Sequence, residues 1–399
     1  MAITDKEQGV WDVDEVYNKI NQGSIWEYSS NVTALKSWGR NRFGYLGHDT
    51  ADPGIQGYSS PTQIPGTTWE TIAIATSGEN PWGSMAVKTD GTLWVWGSSA
   101  RGALGNNVPT TEYSSSPVQV GTDTTWSDGA WGPYGFRMIK TDGTLWGTGQ
   151  NQAGQLGLNN INSPSYSGYS SPVQIPGTWS QVVTGNSNTF AIKTDGTLWG
   201  WGGAGYGVLG QNDNNTGRSS PVQIPGTYSV VRMWNAGAHA VRTDGTLWSW
   251  GVNYGGQCGQ NQTSPGAENS PSQVGTDTTW GQTIDTLGAG RDNSLSIKTD
   301  GTLWVWGYNT YGQLGQNSTV QYSSPVQVGT DTTWRSSNTN QYATFATKTD
   351  GTLWVWGQND YGYLGQNNLV KYSSPTQIPG MWESRIGGGG EGVSILEIL

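Results

Sequence analysis

Few side chains of this chain have the types that covalent chemistry requires. One cysteine, Cys258, and two histidines, His48 and His239, occur among 399 residues. A nucleophile needs a neighbouring base, and with so few cysteines and histidines a nucleophile–base pair is nearly excluded. No GxxxxGK phosphate-binding loop is present, and a single cysteine excludes an internal disulfide and CxxC-type metal sites. The sequence therefore predicts a protein that is not an enzyme, with no catalytic residue, no metal and no cofactor.

Carboxylates do recur at a regular spacing, always in the pair Asp-Gly within "TDGT". Regular carboxylates suggest metal ligands, but each pair lies between two apolar-patterned segments, which is the strongest short signal for a two-residue β-hairpin turn. Such a turn needs positive φ at both central residues, which Asp tolerates and Gly prefers. Six turns are predicted in this way, at Asp90-Gly91, Asp142-Gly143, Asp195-Gly196, Asp244-Gly245, Asp300-Gly301 and Asp350-Gly351.

The elements around these turns repeat as a unit. "TDGTLWVWG" occurs letter for letter at 89–97, 299–307 and 349–357, and a "GxLG" module and a Ser-Pro strand follow each hairpin. Pro at the start of a short strand suits an outer edge strand. An aromatic residue then opens the next strand, as in "TWSQVV" at Thr178–Val183. Four short strands in roughly 50 residues predict an all-β fold, a β-propeller of seven blades.

The two ends of the chain are predicted to close the ring together. The first blade begins late, with the strand-like "NVTALKSWG" at Asn31–Gly39, and the chain ends with a strand opener at Trp382 that has no return strand. A count of 14 residues from the aromatic to the last residue before the turn, as from Trp126 to Lys140, leads from Trp382 to Leu396. The C-terminal strand is therefore expected to pair with Asn31–Gly39, which removes the exposed sheet edges.

These units resemble the regulator-of-chromosome-condensation repeat, a seven-bladed propeller. The resemblance rests on "LWVWGYNTYGQLGQN", the following "SPVQV" and the "DG" hairpin, and it covers Asn31 to Leu399. The family's exchange factors usually carry a His after the Gly of the inner strand, and here only His239 stands near that place. Members of the family act in nucleotide exchange, in β-lactamase inhibition and in ultraviolet sensing, so the fold does not choose a function. The repeated "GTLWVWG…YSSPVQIPGT" pattern also resembles propeller proteins encoded by marine bacteria and their phages. The opening segment "GVWDVDEVYNKINQGSIWEY" is similar to the starts of structural proteins of cyanobacterial phages.

Most tryptophans occupy positions that repeat in every blade, where they are predicted to fill the wedges between blades. Trp82, Trp131 and Trp234 do not; all three fall in the variable segment between the strand-opening aromatic and the hairpin. These segments are predicted to emerge at one end of the propeller and are rich in Trp, Tyr, Asn and Gly, as adaptable binding loops are. Ordinary loop drift or plugging of the central channel explains them equally. The candidate binding residues are Trp82, Trp131, Tyr134, Asn186, Asn188, Trp234, His239, Arg291, Asn340 and Tyr342.

Residues 1–30 precede the repeats, and residues 31–399 are assigned to the propeller. "DVDEVYNKI" from Asp12 to Ile20 suits a short helix or, equally, a disordered or strand-like leader. A leader that docks the propeller onto a larger assembly would use Trp11, Val16, Tyr17, Ile20 and Trp26. No signal peptide or apolar span is apparent.

The favoured function is a non-enzymatic structural or binding propeller of a phage virion, in a tail or appendage. Its expected partners are other virion proteins through the leader, and a host surface protein or glycan through the loops. The alternatives are a bacterial protein-interaction or enzyme-inhibitor module and, less favoured, guanine nucleotide exchange. A net charge of −10 without a basic run argues against nucleic acid, and no membrane insertion is expected.

Overall fold

The computed structural model describes residues 33–50, 57–75, 83–108, 112–161, 168–213, 216–234, 236–263, 267–340, 342–389 and 392–399. Their regular structure consists of strands and a few 3-10 turns. No helix in these ranges is long and apolar enough to span a membrane. The predicted leader, with Trp11, Val16, Tyr17, Ile20 and Trp26, lies outside the described residues, as does Trp82.

The described strands form seven four-stranded antiparallel blades, so the all-β propeller prediction is confirmed. The first four blades contain β1 (Thr33–Arg40), β2 (Gly57–Gln63), β3 (Trp69–Ala75), β4 (Gly83–Lys88), β5 (Leu93–Ser98), β6 (Tyr113–Gln119), β7 (Trp126–Gly132), β8 (Gly135–Lys140), β9 (Thr144–Gly149), β10 (Tyr169–Thr184), β11 (Asn188–Lys193) and β12 (Thr197–Gly202). The remaining strands are β13 (Arg218–Trp234), β14 (Gly237–Arg242), β15 (Leu247–Val252), β16 (Ala267–Gln273), β17 (Leu287–Ala289), β18 (Asn293–Ile297), β19 (Leu303–Gly307), β20 (Tyr322–Gln327), β21 (Trp334–Thr339), β22 (Ala343–Lys348), β23 (Leu353–Gly357), β24 (Tyr372–Ile378), β25 (Met381–Gly389) and β26 (Gly392–Ile398).

Blade 1 combines both ends of the described chain, with β25 innermost, then β26, β1 and β2. Blades 2 to 7 follow in sequence order and begin with β3, β7, the second half of β10, the second half of β13, β17 and β21. The long strands β10 and β13 each run from the outer strand of one blade into the inner strand of the next. Each inner strand contacts the inner strands of both neighbouring blades, and β25 contacts β3 and β21, so the contacts close a ring.

The predicted pairing of the two termini is confirmed. β1 lies antiparallel to β26 with Thr33 opposite Ile398 and Gly39 opposite Gly392. The predicted register was wrong by one residue, because Trp382 lies opposite Glu397 rather than Leu396, and a bulge follows in β25. Glu397 occupies the place that a lysine or arginine holds in other blades, and it forms an ion pair with Lys36 at 3.3 Å.

The Asp-Gly segments are hairpin turns, as predicted, but their type differs from the prediction. Gly91 has φ of +77°, whereas Asp90 does not have positive φ. The N–H of Gly91 donates to Lys88 O at 2.8 Å, and the N–H of Lys88 donates to Thr92 O at 3.1 Å. The loop therefore has three residues, and only its glycine adopts the left-handed conformation. The Asp90 carboxylate accepts from the N–H and hydroxyl of Thr92, which accounts for the aspartate without a metal.

The second tryptophan of each "LWxWG" motif joins its blade to the preceding one. Trp306 is fully buried, and its indole N–H donates to Gln257 O in the GxLG module of the preceding blade at 2.8 Å. The glycine that ends this module, Gly259, leaves room for the ring, since a Cβ there would lie 3.0 Å from the indole nitrogen. The predicted wedge filling is thus confirmed. The same bond is made by Trp38, Trp96, Trp201, Trp250 and Trp356.

Blade 3 carries Thr148 where the other blades carry this tryptophan. Its hydroxyl donates to Ala103 O of the preceding module at 3.0 Å, so the bond between blades is retained. Phe136 fills the vacated space, because a Cβ on Gly105 would meet both Phe136 and Thr148. Trp131 packs on Phe136 with ring centroids 6.2 Å apart. A smaller residue at the wedge position is therefore accompanied by two aromatic residues from neighbouring strands.

Candidate binding face

Two kinds of loop meet at the same end of the propeller. In an antiparallel blade, the loop between the first and second strands and the loop between the third and fourth strands lie at the same end. The first kind, the inner loops, are the variable segments, and the second kind contain the GxLG modules. The N–H of Gln150 donates to Tyr134 O at 3.0 Å, and that of Tyr308 to Asp292 O at 2.8 Å, so each module is bonded to its own inner loop. We call this end the module face and the opposite end the hairpin face.

The expectation that Trp131 and Trp234 are exposed on this face is wrong. Both side chains are 1% exposed. Trp131 packs against the backbone of Gly83 in blade 2. Trp234 lies between blades in a cluster with Cys258 and Ala289. Burial of its large apolar surface lowers the free energy of an indole side chain. Both rings fill space close to the inner strands instead of forming a recognition surface.

His239 is also a core residue. Its side chain is fully buried, with Nε2 2.6 Å from the Ser294 hydroxyl and its ring packed at a tilt against Trp234, the centroids 4.4 Å apart. Burial lowers the pKa of His239 to about 3, so the imidazole is neutral at physiological pH. The equivalent positions in blades 4 and 7 carry Phe190 and Phe345. Like His239, both lie opposite the residue between the two tryptophans of the "LWxWG" motif in the third strand.

This buried histidine predicts a pH dependence of stability. Unfolded His239 takes up a proton near pH 6.5, while the folded state resists protonation down to about pH 3. The unfolded state therefore binds more protons as the pH falls, and the free energy of unfolding decreases by about 2 kcal/mol between pH 7 and pH 5. His239→Phe should remove this contribution, measured as a smaller change of the urea midpoint over that range.

His48 serves as the internal reference for that experiment. Burial lowers the pKa of His48 to about 4, so it contributes acid sensitivity of the same sign, and the variant should lose part of the dependence rather than all of it. An unchanged pH dependence in His239→Phe would contradict the assignment of a buried neutral imidazole.

The remaining predicted site residues lie at the module face, mostly in structural contacts. Asn340 is buried, and its Oδ1 accepts from the N–H groups of Tyr342 and Ala343 at 2.9 and 2.8 Å, which closes the inner loop of blade 7. Asn188 is buried and donates to Gly203 O at 3.5 Å. Asn186 is half-buried, and half-buried Arg291 contacts Asp292 at 3.4 Å.

Tyr134 is half-buried, with the Arg101 guanidinium 3.9 Å from the centre of its ring. Cation–π contact with an arginine holds this ring in place at the face. The inner loops thus contribute fixed polar and aromatic groups rather than freely exposed tryptophans.

The exposed aromatics of this face lie in the loops that carry the modules: Tyr206 begins a module, and Tyr254 and Tyr308 lie shortly before one. Tyr206, Tyr254 and Tyr308 are 59%, 57% and 41% exposed. Tyr206 also has φ of +61°, a conformation unfavourable for a bulky residue unless the surrounding structure imposes it. A usable signal was present in the sequence, because the residues that precede the GxLG motif vary between blades, whereas the glycines of the motif do not.

Further tyrosines of blades 6 and 7 pack together at this end, beside Arg40 of blade 1, and one of them, Tyr363, is buried. Tyr342 packs edge-on against Tyr311 at 5.8 Å and stacks on Tyr363 at 6.2 Å. Tyr361 follows at 5.7 Å from Tyr363, with the Arg40 guanidinium 4.7 Å from its centre. Tyr342 is thus the predicted residue that the structure brings together with other aromatic groups.

The groups most suited to catalysis are withdrawn from solvent. Cys258 is fully buried, and desolvation, followed by the charge of Glu268, raises the pKa of its thiol to about 12. It is the buried filler that its place in the module predicts. In the described part of the chain, no three His, Cys, Asp or Glu residues lie together in an arrangement that could hold a metal ion.

The fold and this face define a class of protein, a seven-bladed propeller with a loop-built surface. The model of the regulator of chromosome condensation (RCC1) repeat matches residues 142–192, 300–337 and 350–386, and a second model of this repeat matches residues 284–313. RCC1 repeats are thus recognised in these segments, and the chain is similar to proteins of the RCC1 repeat family.

Curated relatives match with modest identity. The ultraviolet-B receptor UVR8 of Arabidopsis thaliana is 26% identical over 296 residues, which cover 73% of this chain and 65% of the receptor. The human protein named probable E3 ubiquitin-protein ligase HERC6 is 30% identical over 185 residues, covering 45% of this chain and 17% of the ligase. The chain therefore spans less than two thirds of the length of either relative.

Solved structures agree with the fold across almost the whole chain. Human WBSCR16 superposes with a TM-score of 0.78 at 20% identity, covering 92% of this chain and 98% of that chain. Prp20p from Saccharomyces cerevisiae, described with its binding properties to Gsp1p and histones, gives a TM-score of 0.78 at 16% identity and covers 92% of each chain. At these identities the likeness concerns the fold alone.

Proposed function

We propose that this protein is a non-catalytic binding propeller that recognises a protein partner through its module face. The observation that carries the proposal is the exposure of Tyr206, Tyr254 and Tyr308 in the module-bearing loops of three successive blades. Large exposed aromatic groups are disfavoured in a monomer unless they are covered or used. Tyrosine provides a wide, rigid contact area with a polar hydroxyl, and interface hot spots are enriched in it.

The scaffold below these tyrosines is rigid, which lowers the entropic cost of binding. A module such as that of blade 5 is fixed by the indole bond from the following blade. A buried asparagine such as Asn309 holds the module backbone of blade 6 by accepting from Leu314 N–H at 2.9 Å. The Tyr308 ring of blade 6 lies against the module of blade 5, since a Cβ on Gly255 would lie 3.4 Å from it.

The class of partner is supported by the relatives. The yeast structure is described by its binding to Gsp1p and histones, so propellers of this fold bind proteins. The net charge of −10 on this chain disfavours an acidic or nucleic-acid partner. Cys258 and His239 are both buried and uncharged at physiological pH, so they do not support a catalytic function for this site.

The proposal predicts that the exposed tyrosines carry binding but not stability. The triple variant Tyr206→Asn, Tyr254→Asn and Tyr308→Asn should weaken partner capture from extracts of the source cell at least about tenfold. Asn tolerates the left-handed conformation at position 206, so the melting temperature should change by only a few degrees. Quantitative mass spectrometry of captured proteins and thermal denaturation are the two measurements.

A matched control separates recognition from general surface adhesion. Met381 is 48% exposed but lies beside the Asp-Gly turn at Gly351, on the hairpin face. Met381→Asn should retain the captured partners. Equal capture by the triple variant and the wild type would place the contact surface elsewhere.

We further propose that the assembly served by this propeller is a phage virion, with residues 1–30 as its anchor. The support is the resemblance of "GVWDVDEVYNKINQGSIWEY" to the starts of structural proteins of cyanobacterial phages. The neighbouring genes discriminate this placement from its rival. Flanking capsid and tail genes agree with a virion component, whereas an isolated chromosomal gene indicates a bacterial interaction module.

A further inference from the structure

Two equivalent cavities lie between blades, away from the tyrosines of the module face. The first has a volume of about 420 Å³ and lies between blades 2 and 3, against Trp126, Lys140 and Trp146. The second has about 390 Å³ and lies between blades 6 and 7, against Trp334, Lys348 and Trp354. Both volumes fall in the range of small-molecule sites. Recurrence of one cavity with the same residue types at two blade boundaries indicates a built feature.

The linker before each inner strand decides where this cavity forms. Some blades are entered through "IPG" followed shortly by the aromatic, and there the glycine covers the indole nitrogen: a Cβ on Gly177 would lie 2.8 Å from Nε1 of Trp179. Other blades are entered through the longer "VGTDTTW". There the glycine lies away from the ring, and a Cβ on Gly121 or Gly329 would meet nothing within 4 Å. The longer linker thus leaves the space beside the indole open.

The same linker places a carboxylate at the cavity, where a lysine of the second strand pairs with it. Asp123 and Lys140 form an ion pair, and so do Asp331 and Lys348 at 2.5 Å. Hydrogen bonds from Lys140 and then Thr125 lower the pKa of Asp123 to about 2, so the pair stays ionised. Lys140 also lies over the rings of Trp126 and Trp146, with Nζ 4.9 and 4.4 Å from their centres. A cavity whose two charges are already paired favours a neutral ligand over an ion.

Buried polar atoms without a hydrogen-bond partner at the first cavity indicate which hydrogen-bonding groups a ligand needs. The Trp126 side chain is 5% exposed, and its indole N–H has no hydrogen-bond partner in the described chain. Asn106 Oδ1, from the facing module, is likewise buried without a partner. The second cavity has the same unpartnered indole N–H at Trp334. One donor and one acceptor left unsatisfied are costly, and a hydroxyl group can satisfy both, because it accepts and donates.

We propose that these cavities are binding sites for a neutral, hydroxyl-rich small molecule of the monosaccharide class, held between blades by indole edges and amide groups. Blade 6 has the same components: a "VGTDTTW" linker, an open glycine at Gly275, and a Lys298–Asp277 ion pair at 2.5 Å under Trp280 and Trp304. We therefore expect a third such site before blade 6, and tighter binding of a multivalent saccharide than of a single sugar. These sites do not depend on the proposed role of the tyrosines.

The test is titration of the full-length protein with glucose, galactose, mannose and N-acetylglucosamine, followed by calorimetry and by tryptophan fluorescence. At least one sugar should bind saturably with a roughly millimolar Kd and a stoichiometry approaching three. Glucuronate, the charged analogue, should bind at least about tenfold more weakly than glucose. No saturable binding of any sugar up to about 50 mM, well above that Kd, would overturn the proposal and leave ordered water as the occupant.

Blocking variants locate the binding. Ser171 and Ser374 line the two cavities, and Ser324 precedes the equivalent proline of blade 6. Ser171→Trp, Ser324→Trp and Ser374→Trp together should reduce affinity at least about tenfold. Ser220→Trp, at the same position in blade 4 with its "IPG" linker, is the matched control and should bind as the wild type does. Unchanged binding in the triple variant would contradict the assignment.

A milder substitution covers the case in which the triple variant does not fold. Asn106→Leu removes the amide group that carries the unpartnered acceptor at the first cavity and keeps the branched shape of the side chain. It should lower the number of bound sugars from three to about two at the same sugar concentration, with the melting temperature preserved. A full stoichiometry in Asn106→Leu would show that the amide takes no part in binding.

Discussion

Removal of Ile395–Leu399 is expected to abolish the stable folded state. These residues form most of β26, which lies between β1 and β25 in blade 1 and pairs with both. Without them the two ends of the chain lose their connection, and Ile395 and Leu396 no longer fill the core. The expected loss exceeds about 5 kcal/mol, comparable to the whole stability of many domains. The measurement is solubility together with cooperative thermal unfolding.

Leu399 alone provides the control for this deletion. It lies just beyond β26 and is 60% exposed, so removing only this residue should leave the melting temperature unchanged within about 2 °C. A truncated protein lacking Ile395–Leu399 that melts like the full chain would show that the ring does not depend on its C-terminal strand.

Trp306→Ala is expected to cost about 3–5 kcal/mol of the free energy of unfolding. The substitution removes a fully buried indole and leaves Gln257 O without its donor. It also removes the edge-on contact with Trp280 at 6.1 Å and the contact with His239 at 5.3 Å. Denaturant unfolding gives the value directly.

Trp304 is the matched control, because it lies two residues away on the same strand but is only partly buried. Its indole N–H donates to Thr302 within its own hairpin rather than to another blade. Trp304→Ala should therefore cost less, about 1–2 kcal/mol. Equal losses for the two variants would indicate that the bond between blades contributes little.

The repeated features of this fold were predictable because each blade provides a comparison for the others. Letter-for-letter repetition of "TDGTLWVWG" reveals the hairpin, and Trp306 and its equivalents lie where that repetition places them. Closure by both termini followed from an incomplete first blade and an incomplete last one. The one-residue error at Trp382 arose because a bulge in β25 changes the register without leaving a composition signal.

Residues that depart from the repeat were harder to interpret. Their position in the sequence shows where the blades differ, but it does not show whether the side chain faces the core or solvent. Trp131 and Trp234 break the pattern and are buried, because the wedge of blade 3 has lost its own tryptophan and Trp234 packs between blades 5 and 6. Tyr206, Tyr254 and Tyr308 lie at or just before a repeated module and are exposed. Their accessibility depends on packing between blades, which a single sequence does not encode locally.

The most direct test of the binding-propeller account is cross-linking mass spectrometry on the protein with the partners it captures from its source cell. The account predicts that intermolecular cross-links concentrate on the module face, at residues such as Arg101, Arg291 and Lys371 near the tyrosines. Cross-links concentrated on the hairpin face, at Lys88, Lys140 and Lys348 beside the Asp-Gly turns, would contradict it.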